Sequence, residues 1–370
     1  MITCYGTLTL NRSILRLEGE ESGPREIVPL DEYLGIDKLP FKMTRQMMAE
    51  VAFWGQNQTS FKMAEKIIQR QHGVNITDDQ IRKVTYYVGK LVFEEDRRRA
   101  EAIFNRPQDI PYDKDKIGVL YIMVDGAAIN TRIKDESGSS WRENKLGMVF
   151  SSHDMRLRKD GEKHDILKKE YVSYIGSVNE FKIYLLECAV RNGYGRFSHI
   201  IVIGDGATWI RNMCDELFPD AIQILDFFHL KENLYTFAKF LYPHDSAEYT
   251  KWAETLAGML RKSQTEQALR ILKQYKDMSL PVGIVNPYTY LSNNKDKVDY
   301  VTYRDNGWFI GSGPIESGNK SVLQKRCKQT GQSWDVENAQ YLLTLKAKEE
   351  SNLWFPAVTQ FLQSAILHAF

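Results

Sequence analysis

The sequence predicts a mixed α/β protein, with one helical block ahead of its sheet and a second set late within it. Three observations carry this reading. Between residues 116 and 226, strand-length apolar runs are interspersed with amphipathic helical stretches. Residues 41–105 show helical periodicity only. Residues 244–280 ("DSAEYTKWAETLAGMLRKSQTEQALRILKQYK") return to it, again with no strand.

Taken in order, residues 1–40 read as short strands and loop. Thr7, Thr9, Ile14 and Leu15 among polar neighbours suggest a hairpin, and "SGPREIVPLDEYLG" reads as loop. Residues 41–112 form a helical domain. Within it Ser60 caps a helix whose apolar face is Phe61, Ala64, Ile67 and Ile68, and Gly73 ends that helix. Thr77 with Gln80 makes a capping box for a second helix, faced by Ile81, Val84 and Val88. Two helices one turn apart resemble a helix-turn-helix, with Arg82 and Lys83 outermost and placed for DNA. A plain structural hairpin fits the same pattern. "EEDRRRAEAIF" follows as a solvated mixed-charge helix.

Residues 113–240 supply the first part of the sheet. "IGVLYIMVDGAAI" is a buried strand ending in Asp125, followed by strands "ENKLGMVFSSH" and "KKEYVSYIG" and the helix "SVNEFKIYLLECAVRNGYG". "SHIIVIGDGATWI" is a fourth strand ending in Asp205, and "TWIRNMCDELFP" a helix. "AIQILDFFHL" is a fifth strand, and "LKENLYTFAKFLY" a further helix. Residues 241–308 are the helical insertion with a looser tail. Residues 309–370 complete the core, with a helix from "GSGPIESGNKSVLQKRCKQTG" and a last one in "SWDVENAQYLLTLKAKEE", capped by Asp335.

Bulk composition narrows the class. At 370 residues the chain has room for two or three domains, and 43% hydrophobic with 26% charged residues is ordinary for a globular protein. No run reaches a membrane-spanning length, and the start "MITCYGTLTLNRSILRL" lacks a signal-peptide pattern, so a cytoplasmic protein is expected. Cys4, Cys188, Cys214 and Cys327 are too scattered for a zinc site or a disulfide framework. A net charge of +1 neither demands nor excludes nucleic acid.

The chemistry-bearing residues share one logic. Asp125 and Asp205 end strands, where acids project into the ligand crevice of an α/β sheet. Glu316 lies in a helix first turn, and every charge from there to Gly331 is basic: Lys320, Lys325, Arg326 and Lys328. Converging carboxylates repel unless a cation neutralises them, and oxygen ligands alone suit Mg²⁺ or Mn²⁺. Two such ions serve phosphodiester displacement. Each acid also has a plainer reading, as a turn former or as compensation for the helix dipole.

In their order, "VDG", "VIGDGATWI", "ILDFFHLKENL" and "GSGPIESGNKSVLQKRCKQTGQSW" resemble bacterial insertion-sequence transposases of the DDE type, nearest to the Kra-type group. The resemblance spans roughly residues 1–355. It implies a ribonuclease H-like core with an α-helical insertion, and metal-dependent cleavage and joining of DNA. The metal-binding catalytic triad is then Asp125, Asp205 and Glu316, and "DFFH" (Asp226 and His229) is the Asp-x-x-His signature. The partners implied are terminal inverted repeats and target DNA, with a homo-oligomer on DNA in the bacterial nucleoid. His229 then positions a water or a phosphate, or else is a core histidine. Lys320 either meets the scissile phosphate or pairs with Glu316 one turn back. Lys325, Arg326 and Lys328 are expected on the DNA backbone. Trp334 either stacks on a base or packs in the core. The chain departs from the family at Gln332 and Ser333, where a basic residue commonly precedes the tryptophan. Met1 falls where strand pattern is already running, which suggests a short or truncated form. Other readings are a DNA-binding protein without catalysis, a haloacid-dehalogenase-type phosphatase (opposed by Ala127, where a second acid is needed) and a dinucleotide enzyme through "GDGATW".

Overall fold

Apolar runs too continuous for a one-faced strand fill the centre of the chain, and they build a sheet covered on both sides. The computed structural model describes residues 1–17, 25–35, 39–159 and 164–359. In chain order, β1 (Ile2–Thr3) and β2 (Gly6–Thr7) form a small antiparallel hairpin. β3 (Leu15–Leu17) pairs antiparallel with β4 (Arg25–Ile27), and α1 (Pro29–Leu34) follows. The expected loop over "SGPREIVPLDEYLG" is therefore corrected. Pro29 opens a helical turn, where its missing N–H costs nothing, and Gly35 closes it in the left-handed region. Ser22 to Pro24 of that stretch lie outside the described residues.

Three helices come next: α2 (Arg45–Asn57), α3 (Phe61–His72) and α4 (Asp78–Phe104). Ser60 caps α3 through the Met63 amide, Gly73 ends it, and Thr77 with Gln80 closes the capping box ahead of α4. α4 runs unbroken for 27 residues, so the mixed-charge stretch continues the second helix instead of forming its own. Salt pairs from Arg98 and Arg99 to Glu95 one turn back support that extension.

The sheet follows. Its strands are β5 (Lys116–Asn130), β6 (Trp141–Ser151), β9 (Glu170–Ile175), β10 (Phe197–Gly204) and β11 (Ile222–Leu225), in the order β11-β10-β5-β6-β9. Between β6 and β9 lies a short hairpin, β7 (Met155–Leu157) with β8 (His164–Ile166). The pairs β10–β11 and β10–β5 are parallel and β6–β9 is antiparallel, a mixed sheet. Helices α5 (Val178–Arg191), α6 (Thr208–Leu217) and α7 (Phe227–Leu241) complete this region. Then come α8 (Ser246–Arg261), α9 (Thr265–Leu272), α10 (Pro287–Asn293) and α11 (Tyr300–Asp305). The chain proceeds through α12 (Gly313–Gly318), a π-helical stretch (Asn319–Gln324), α13 (Lys325–Cys327) and α14 (Val336–Glu350).

The residues divide into two compact units. The first comprises residues 1–99, 129–142 and 320–370. Among its described residues, the core joins Met47, Met48 and Val51 of α2, Ala64 and Ile68 of α3, Ile81, Val84 and Val88 of α4, and Leu345 of α14. The second comprises residues 100–128 and 143–319. One face of its sheet packs Leu120, Ile122, Val124 and Val202 against Phe181 and Leu185 of α5 and Ile210 and Met213 of α6. Tyr121, on the other face of β5, stacks on Phe150 and meets the edge of Phe309. This two-sided burial accounts for the unbroken apolar run of β5. Among the described residues no helix is long and apolar enough to cross a membrane.

Candidate active site

Parallel pairing brings the two aspartates to equivalent positions. The last register pair between β5 and β10 is Met123 with Ile203, so Asp125 and Asp205 each stand two residues further along neighbouring strands. Asp205 follows the final residue of β10, as expected. Asp125 does not end its strand: β5 continues to Asn130, although its ladder with β10 has stopped. The sheet order explains this, because β5 also borders β6.

Each carboxylate is fixed locally. Asp205 Oδ1 accepts from the Ala207 amide at 2.9 Å, which shapes the turn into α6. Gly206 in that turn has φ of +81°, and a Cβ there would lie 2.6 Å from Leu225 Cδ1, so only glycine fits. Asp125 Oδ1 accepts from the Gly126 amide at 2.8 Å, and its Oδ2 accepts from Asn319 Nδ2. Burial raises the Asp125 carboxyl above its ordinary range, and the charge of Asp205 pushes the same way. The bonds from Gly126 and Asn319 and the nearness of His229 oppose that rise in part.

A second cluster adjoins the first. Asp226 follows β11, is fully buried, and caps α7 through the Phe228 amide at 2.8 Å. Its other oxygen accepts from the Ser312 hydroxyl. The same hydroxyl lies 3.1 Å from Glu316 Oε1. A serine carries one proton, so it donates to one of these carboxylates at a time. Pro314 opens α12 and Glu316 sits in its first turn, as the sequence indicates. The π-helical stretch starts at Asn319, which is 3% exposed. Its Nδ2 is spent on Asp125, whereas its Oδ1 is buried without a partner.

His229 lies in the first turn of α7, not on the strand. With Asp205, Arg211, Asn233, Tyr290 and Asn294 it lines a cleft of about 430 Å³. Tyr290 comes from α10, where the sequence pattern suggests only looser chain, and its hydroxyl donates to the Asp205 carbonyl. The signal for α10 was present: Asn286 caps it through the Tyr288 and Thr289 amides, and Pro287 fills its first position. Ser312 and Asn319 were also missed as partners of the acids. Both flank Glu316 in sequence, but their partners lie 86 and 194 residues away.

The candidate DNA residues separate into two kinds. Lys320, Lys325 and Lys328 are exposed. Arg82 and Lys83 reach the surface of α4 and both pair with Asp79. Arg326 is a correction: it is 2% exposed, with its guanidinium 4.5 Å from the Phe61 ring and 5.1 Å from that of Trp334. It donates to the carbonyls of Gly55 and Thr59, so it organises the first unit instead of meeting DNA. Trp334 is buried too, and its indole N–H donates to the Cys327 carbonyl.

The structure brings Asp125, Asp205 and His229 into electrostatic reach of one another, and ties Glu316 through Ser312 to Asp226. Among the described residues, no group of three or more His, Cys, Asp or Glu side chains is arranged to hold a metal ion. Asp125, Asp205 and the spare Asn319 Oδ1 are nonetheless hard oxygen donors, the kind Mg²⁺ and Mn²⁺ take.

A mixed five-stranded sheet with acids at matched positions on its neighbouring parallel strands defines an α/β protein with a polar cleft at that sheet end. The chain belongs to the uncharacterised protein family UPF0236, whose model matches residues 2–277. That span takes in Asp125, Asp205, Asp226 and His229 and stops short of Glu316. No curated protein matches the chain.

Proposed function

We propose that this protein is a DDE-type transposase, cleaving and joining DNA at the ends of a mobile element with Mg²⁺ or Mn²⁺, on a ribonuclease H-like core. The observation that carries the reading is the pair of Asp125 and Asp205 at one register level of adjacent parallel strands, with the Glu316 helix delivering Asn319 to Asp125. The order of motifs that resembles this class of transposase supports it.

In this reading Asp125 and Asp205 would hold the cation, and the unpartnered Oδ1 of Asn319 would be an additional oxygen donor. A divalent ion supplies charge stabilisation at a phosphodiester under displacement. Glu316, exposed and 3.1 Å from the Ser312 hydroxyl, would be the third carboxylate of the set. His229, on the wall of the cleft, holds or passes a proton, and Arg211 faces the phosphate. The exposed Lys320, Lys325 and Lys328, with Arg82 and Lys83 on the helix-turn-helix-like pair, add sequence-independent affinity for DNA.

The test uses duplexes bearing the element's terminal inverted repeats. Wild type nicks or joins them with Mg²⁺ or Mn²⁺, and Asp125→Asn, Asp205→Asn and Glu316→Gln abolish this while binding persists. Mn²⁺ binding, followed by electron paramagnetic resonance, weakens in the two aspartate variants. Full cleavage by Glu316→Gln would remove it from the triad. A second reading, DNA binding without chemistry, draws on the engagement of Glu316 with Ser312. It predicts specific binding to those ends and no strand cleavage under any metal condition.

A further inference from the structure

The β11 edge of the sheet gathers cations where the strand ends gather acids. β11 is the outermost strand on its side. A single 3₁₀ turn after α10, Lys295–Lys297, brings Lys297 to it, and Nζ donates to Gln223 Oε1 at 2.8 Å. Covering an edge strand accounts for a lysine here. It does not account for the company that lysine keeps. Lys297 is 6% exposed, and an ammonium carries three N–H donors. Among the described residues Gln223, a neutral amide, is its one hydrogen-bond partner, and no carboxylate pairs with it. The other end of Gln223 is spent on Asp215 Oδ1 at 2.6 Å. Burial lowers the Lys297 pKa; the charge of Asp296 opposes this, Arg211 adds to it, and Asp215 and Cys214 oppose it.

Arg211 is the second cation. Its Nη1 donates to the Asn293 carbonyl at 3.3 Å, and among the described residues it too has no carboxylate partner. Lys297 and Arg211 both line a cavity of about 20 Å³, with Gln223, Gly204 and Gly206. Val202, Ile210, Ile224 and Leu225 make the rest of its wall apolar, and no acid is among the lining residues. That volume admits one sphere about the size of a water molecule, too little for a sulfate or a phosphate. Two cations withdrawn from water without an acid carry a large desolvation cost. A water there answers their hydrogen bonds and leaves their charge. A monatomic anion answers both, and the apolar wall strengthens its attraction to them.

We propose that this cavity binds one halide ion, chloride, held by Lys297 and Arg211. Gly204 and Gly206 of its wall flank Asp205, so the bound ion would steady the turn that carries that acid. The site does not depend on the DNA reading.

The test is a series of thermal melts in sodium gluconate, replaced stepwise by sodium chloride at constant ionic strength. Wild-type Tm rises with chloride and saturates, because chloride at ten times its Kd shifts the folding equilibrium about elevenfold toward the folded state. Bromide does the same. Lys297→Met keeps the length of the side chain without its charge and gives a flat series; Arg211→Gln shifts the chloride midpoint upward. Circular dichroism checks that each variant is folded. Crystals of the wild type grown from bromide give a second reading that needs no variant: one anomalous bromine peak in contact with Lys297 Nζ. A wild-type series that is flat in chloride, an undiminished chloride response in Lys297→Met, or a water with no bromine peak in that position overturns the proposal.

Discussion

Replacing Arg326 with alanine separates a structural arginine from a DNA-binding one. The guanidinium lies between the Phe61 and Trp334 rings, and buried cation–π contacts contribute about 2 kcal/mol each. Its two bonds to the Gly55 and Thr59 carbonyls are long, 3.4 and 3.3 Å, so they belong at the low end, about 1.5 kcal/mol each. Together that is about 7 kcal/mol, offset by several kcal/mol for keeping a charge out of water. That cost is real here, since burial lowers the Arg326 pKa from its ordinary value. The net loss on Arg326→Ala is about 3 kcal/mol. For a unit of this size it corresponds to a fall in Tm of roughly 6–12 °C. Arg326→Lys falls between, because an ammonium cannot lie flat between two rings and reach two carbonyls. The assay pairs thermal melts with DNA titrations over a salt series. Lys325→Ala and Lys328→Ala should leave Tm unchanged and each reduce the salt slope by about 1. If Arg326→Ala melted like wild type and instead lost salt-dependent DNA affinity, the structural assignment would be refuted.

Further expectations concern the acids and the helical core. Asp125→Asn should raise Tm at pH 7 in metal-free buffer. The folded carboxyl titrates above its ordinary 3.8, so between that pH and its raised value the unfolded chain ionises first and the folded state loses stability. The gap over wild type should close below about pH 3.8, and a gap that ignores pH over a series of melts would contradict the sign. Ser312→Ala takes a donor from the fully buried Asp226 and should cost about 1–3 kcal/mol in urea unfolding. Gly55→Ala would place a Cβ 2.0 Å from Thr85 Oγ1, and the overpacking should cost about 1–3 kcal/mol by the same measurement.

Much of the local structure was legible because its causes are local. Ser60, Thr77 with Gln80, and Asp335 each cap a helix at the position the sequence indicates. The strands of the sheet follow the apolar runs that burial requires. The burial of Arg326 has a signal in the sequence, in the helical period of its neighbours. Val322, Leu323, Arg326 and Cys327 are all buried, and their spacing marks one side of a helix. Lys325 and Lys328 lie outside that set and are exposed. A run of basic residues reads as one charged face until its spacing is counted; counted, it divides into a core-facing arginine and outward lysines.

The site was legible in its acids and illegible in their neighbours, and the reason is physical. A strand-end aspartate announces itself by the apolar run before it, but what it bonds depends on chain returning from far away. Asn319 reaches Asp125 across 194 residues, and Ser312 reaches Asp226 across 86. Both neighbours sit within one turn of Glu316, so the two ends of its short helix bring Ser312 to Asp226 and Asn319 to Asp125. The bland reading of Glu316, an acid compensating a helix dipole, explains its place in the first turn but not this arrangement. A dipole needs no serine shared with a buried aspartate, and no asparagine that bonds another aspartate while its own oxygen is buried without a partner. Burying that oxygen without a partner carries a free-energy cost. In the proposed chemistry Ser312 is a positioning residue, since its hydroxyl bonds Asp226 and lies 3.1 Å from Glu316.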